Sequence, residues 1–83
     1  MSRSLLLFRS VHDLIRMERA ARRDQLRVQV LPVPRDLSSD CAMVLEIEDG
    51  DLPVFRAIAV REEVEMRIHL LRSGVENDGI GPL

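Results

Sequence analysis

The one side chain suited to nucleophilic sulfur chemistry is Cys41, the only cysteine of the chain. It is delivered by the run Pro32-Val33-Pro34-Arg35-Asp36-Leu37-Ser38-Ser39-Asp40. Each proline holds φ near −65° and pushes the residue before it toward extended geometry, so the chain leaves the preceding apolar run in a narrow range of directions. Ser38, Ser39 and Asp40 carry short polar side chains that hydrogen-bond nearby backbone N–H groups. A thiol at the end of such a loop is held in place. Thiolates attack sulfur, so the chemistry on offer is thiol exchange or persulfide formation.

The competing reading is a buried cysteine acting as a small hydrophobe, drawn inward by Ala42, Met43 and Val44. The polar residues on the N-terminal side of Cys41 tip the expectation toward a reactive thiol. Arg35 reads either as an anion or thiolate partner or as a solvated loop residue. His12 offers a base or hydrogen-bond partner, although a first-turn histidine is more often simply solvated. His69 reads as a surface residue. Glu18 reads as an i,i+4 partner of Arg22, with an ion pair orienting Arg35 as the sharper alternative.

Other chemistries lack their residues. All 12 basic residues are arginine, which removes Schiff-base and P-loop lysine chemistry. Net charge is −2 with both signs interspersed, and Trp and Tyr are absent. Neither a basic footprint nor a base-stacking platform is present, so nucleic acid is not an expected partner. One cysteine and two separated histidines do not make a zinc site, and no Gly-rich phosphate loop occurs. The expectation is no metal and no cofactor. Leu5-Leu6-Leu7-Phe8 is far too short for a membrane span or a signal-peptide core. With a lone cysteine, this points to a reducing cytoplasm.

The elements that must position Cys41 are written in the apolar periodicity. At 83 residues the chain is one domain, 1–83, with a small core that an oligomeric partner would supplement, making a homodimer an open option. Ser4 to Phe8 reads as a buried strand. Ser10 is a candidate N-cap with Asp13 three residues on, opening a helix from Val11 to about Gln25 with arginines opposite its apolar stripe. Val28 to Val33 reads as a second strand, completing a βαβ unit whose two strands run parallel. Met43, Leu45 and Ile47 alternate as strand three, and Asp49-Gly50 signals a tight turn.

Beyond Gly50 the pattern is ambiguous. Pro53 to Val60 is read as a fourth strand closing a hairpin. Arg61 to Arg72 alternates at Val64, Met66, Ile68 and Leu70, as a strand would. It also carries Val60, Val64, Ile68 and Leu71 at helical spacing, two acids in a first turn, and Gly74 where a terminating glycine belongs. The reading chosen is helix two, with Val75 to Leu83 irregular. The expected fold is a two-layer α+β sandwich with a mixed sheet, β1-α1-β2-β3-β4-α2, with ferredoxin-like βαββαβ as the alternative.

This topology places the thiol. The loop carrying Arg35 and Cys41 should leave the sheet at the edge where the helix begins with Ser10, Val11 and His12. That is where open α/β sheets gather ligands. The helix N-terminus and Arg35 would then favour the thiolate.

Leu7-Phe8, Ser10-Val11-His12-Asp13, Glu18, Pro32-Val33-Pro34-Arg35 and Ser38-Ser39-Asp40-Cys41 resemble the selenium/sulfur carrier-like proteins, a small bacterial domain family. The closing Gly79-Ile80-Gly81-Pro82-Leu83 is similar to that family's ending. The resemblance implies that Cys41 accepts sulfur or selenium from a cysteine desulfurase-type donor and passes it to an acceptor protein, as a carrier more than a true enzyme. Arg35, Ser38, Ser39, Asp40, Ser10 and His12 would support the anion or shape the loop. Two departures stand out. Ala42 replaces the family's usual glycine, and residues 49–60 are longer than the family norm. The alternatives are an interaction module with a structural cysteine, and a single-thiol redox sensor.

Overall fold

The structure, a computed structural model, describes residues 2–37 and 41–71. Strand β1 spans Arg3–Phe8, helix α1 Val11–Arg23, β2 Gln29–Pro32 and β3 Met43–Glu48. A 3-10 turn over Asp49–Asp51 leads into α2, Leu52–Glu62, and β4 follows at Met66–Leu71. The sheet order is β2-β3-β1-β4, and each neighbouring pair is antiparallel. This is the ferredoxin-like βαββαβ arrangement.

Four expectations are corrected here. The segment read as a hairpin strand, Pro53 to Val60, is helix α2, and the segment read as helix two contains strand β4. The sheet is wholly antiparallel, not mixed. β1 and β2 do run in the same direction, but β3 lies between them and pairs with both. Asp49-Gly50 does not close a hairpin; it turns the chain directly into α2. Buried Ser4 donates its hydroxyl to the Asp49 carboxylate, and the Asp49 N–H meets the Ser2 carbonyl at 3.1 Å, fastening this turn to β1. Gly74 and the segment from Val75 to Leu83 lie outside the described residues.

The period of two in β1 feeds both faces of the sheet. Leu6 and Phe8 join Leu14, Met17, Ala20 and Ala21 of α1, Leu45 and Ile47 of β3, and Phe55, Ile58 and Ala59 of α2 in one core. Both helices therefore cover one face. Leu5, Leu7 and Val44 form a second cluster on the opposite face, where Leu31, Val33, Leu37 and Leu71 pack against them.

Both helices end in the same way. Gln25 (φ 62°) and Glu63 (φ 58°) are the non-glycine residues of positive φ among those described. After α1, the Gln25 N–H reaches Arg22 O at 3.0 Å and the Leu26 N–H reaches Ala21 O at 2.9 Å. After α2, Glu63 N–H to Val60 O (3.2 Å) and Val64 N–H to Ala59 O (2.9 Å) repeat the pattern. These are Schellman closures, in which glycine is the usual left-handed residue. A side chain there costs about 1–2 kcal/mol, partly offset by the unfolded-state entropy that glycine adds. Glu63→Gly should therefore stabilise the fold by about 0.5–1 kcal/mol and raise Tm by a few degrees, about 2–8 °C. A Tm at or below that of the parent protein in a thermal melt would contradict this account of the helix end.

Candidate functional site

Cys41 sits just outside the sheet. Pro32 lies opposite Met43 in the β2–β3 register, and the Val33 N–H extends the pairing to Ala42 O at 2.8 Å. Leu7 faces Val44 across β1 and β3, and Phe8 faces Met66 across β1 and β4. One edge of the sheet thus gathers the carboxyl ends of β1 and β2, the start of β3 with Cys41 before it, the start of β4 and the start of α1. The sequence-based placement of the loop and the helix N-terminus at a common edge is what the topology produces.

Orientation at that edge differs from expectation. Cys41 is only 4% exposed and belongs to the core cluster with Phe8, Leu14 and Met17. Leu37, four residues earlier, packs in the other cluster, on the helix-free face. The described parts of the loop thus contribute to both faces of the sheet. Arg35, in the turn between them, is exposed and makes no hydrogen bond or ion pair among the described residues. Ser38, Ser39 and Asp40 lie outside the described residues.

Ser10 acts as the N-cap, with extended backbone (φ −152°, ψ 161°) and a side chain accepting from the Asp13 N–H at 3.3 Å. Its hydroxyl is committed to α1, as the Ser10–Asp13 spacing predicts. His12 is exposed, on the outer side of α1. Cys41 belongs to the buried core that Leu14 and Met17 join from the inner side of α1, whereas His12 lies on the exposed side of that helix. Glu18 pairs with Arg22, whose Nε donates to Oε2 at 3.0 Å, which is the plain i,i+4 reading. His69 is half-buried on the helix-free face, opposite Leu5.

Ala42, which precedes β3, shows no backbone conflict. It is exposed and is not among the described residues of positive φ, so this geometry does not require a glycine. That Cys41 joins the same core as Phe8, Leu14 and Met17 was not the reading preferred from sequence. The signal was present: Phe8 shares the strand face of Leu6, and Leu14 and Met17 head the apolar stripe of α1, so the core reaches this edge.

On the β4 side of the same edge lies an open depression of ≈ 680 Å³ lined by Arg9, Ser10, Asp13, Ala59, Val60, Glu63, Val64 and Glu65. An exposed Arg9–Glu65 ion pair at 2.8 Å closes one wall, and Cys41 does not line it. Among the described residues no group of His, Cys, Asp and Glu is arranged to hold a metal ion. No described helix is long and apolar enough to cross a membrane.

Comparison with curated proteins and with solved structures finds no match. Comparison with protein families does: residues 3–69, from the start of β1 into β4, match the family described as "Putative Se/S carrier protein-like". That match spans every element that builds this sheet edge and the Cys41 loop, and the chain belongs to the Se/S carrier-like family.

Proposed function

We propose that the protein carries a single sulfur or selenium atom on Cys41, taking it from a cysteine desulfurase-type donor and yielding it to an acceptor protein. The observation that carries this reading is membership of the Se/S carrier-like family by a chain whose one cysteine precedes β3 at the end of the sheet where α1 begins. In loading, the Cys41 thiolate attacks the terminal sulfur of the donor's persulfide. The donor S–S bond breaks, its thiolate leaves with the electron pair, and a new S–S bond forms on Cys41 without net oxidation. In delivery, an acceptor thiolate attacks the outer sulfur and the Cys41 thiolate is the leaving group. One thiol suffices, because no resolving cysteine is needed. Exposed Arg35, in the turn that precedes Cys41, is the cation that meets the anionic sulfur.

The test is intact-protein mass spectrometry after incubation with a cysteine desulfurase and either cysteine or selenocysteine. A mass gain of one sulfur or selenium atom, removed by reductant and absent in Cys41→Ser, is the expected result. A Cys41→Ser protein that still takes up sulfur would sink the proposal.

The burial of Cys41 favours a second reading, an interaction module whose cysteine is part of the core. Buried thiols in apolar surroundings are usually inert. This reading expects no adduct in the same experiment, together with a Tm that falls on Cys41→Ser.

A further inference from the structure

We propose that the outer face of α1 is a docking surface for an acidic partner protein. His12, Arg16, Arg19 and Arg23 follow one another at i, i+4, i+7 and i+11, which on an α-helix is a single stripe about 16 Å long. They line an open groove of ≈ 540 Å³ together with Ile15 and Glu62. Like charges at this spacing oppose helix formation by about 0.2–0.5 kcal/mol per pair, so the stripe carries a cost in the isolated domain.

The groove does not neutralise itself. Its one carboxylate, Glu62, is 3.8 Å from Arg23 and is also approached by Arg61 at 3.4 Å. Arg16 spends a donor on the Glu62 backbone carbonyl at 3.0 Å. Arg19 has no hydrogen bond or ion pair among the described residues. An excess of guanidinium thus stands on one face of a protein whose net charge is −2. Beside it, Ile15 is 39% exposed and Val11 49% exposed, the turn-to-turn neighbours of one another on the flank of the stripe.

An apolar edge along a row of planar cations suits carboxylates spaced along a partner's helix, with an aliphatic side chain set beside them. A nucleic acid fits less well. The only aromatics, Phe8 and Phe55, are buried, leaving the face without a stacking platform. This docking does not depend on what Cys41 carries.

The probe is a fluorescein-labelled helical peptide of about 15 residues bearing Glu at i, i+4, i+7 and i+11 and Leu on the flank, with a single-stranded DNA of matched length as competitor. At low salt the peptide should bind with a Kd on the order of 10–100 μM and weaken steeply with added salt. Arg19→Glu should weaken it about 3- to 10-fold with an unchanged melt, and Arg16→Glu/Arg19→Glu/Arg23→Glu should weaken it further. Arg56→Glu, the same change at an exposed arginine of α2 outside the groove, should leave binding within about twofold. Equal losses for Arg56→Glu and Arg19→Glu, tighter binding of the DNA, or no peptide binding at low salt would each overturn the proposal.

Discussion

Phe55→Ala should remove about 3–5 kcal/mol of folding free energy. A domain of this size has about 4–12 kcal/mol in total, so the substitution takes a large part of it. The reason is position. Phe55 is fully buried and belongs to the core that joins α1, α2, β1 and β3. Truncating the ring leaves a cavity between the helix layer and the sheet that neighbouring backbone is not free to fill. Denaturant unfolding followed by far-UV circular dichroism gives the number directly. A loss below about 1.5 kcal/mol, the range of a well-accommodated core swap, would mean that α2 does not pack as described. Val60→Ala is the matched control: Val60 is 79% exposed on the same helix, and its truncation should change stability little.

The second large effect is kinetic. In the native protein, Cys41 should react with iodoacetamide about 10²- to 10³-fold more slowly than in concentrated guanidinium, because at 4% exposure the thiol must be uncovered first. At about 1.4 kcal/mol per tenfold, that ratio corresponds to an opening free energy of about 3–4 kcal/mol. Equal rates in the two states would show that the thiol stands open. The same measurement bears on the carrier proposal. Slow alkylation combined with fast loading by a desulfurase would mean that the donor itself uncovers Cys41, whereas slow alkylation without loading belongs to the structural reading.

The first half of the fold was legible because its signals agree. β1, α1 and β3 have clean apolar periods, Ser10 with Asp13 marks the start of α1, and Pro34 ends the β2 run. The second half misled for identifiable reasons. α2 has no clean apolar stripe: Phe55, Ile58 and Ala59 are buried, but Val54 and Val60 face outward. β-branched Val54, Ile58 and Val60 also weigh toward a strand. Pro53 stands in the first turn of α2, a position as natural for proline as the start of an edge strand. The stop signal of α2 is carried by Glu63 in a left-handed conformation, a residue that reads as ordinary helix surface. With that stop hidden, Gly74 drew the expected helix end eleven residues too far along, across a segment whose alternation at Val64, Met66 and Ile68 was the correct signal. For the site, sequence located the edge and the helix cap. It did not give the direction of the thiol, which depends on Leu37 and Cys41 packing in different clusters, a matter of tertiary contact rather than local pattern.

The pairing of β1 with β4 has a consequence for synthesis. β1, the first of the described strands in chain order, occupies an interior position in the sheet, with Arg3 opposite Leu71 and Phe8 opposite Met66. Its second neighbour, β4, is the last of the described strands in chain order, so Leu6 and Leu7 have no β-partner on that side until β4 has been made. Until then a nascent chain holds one side of an apolar strand unpaired, which makes the newborn polypeptide, more than the finished domain, the species most in need of a chaperone's shelter.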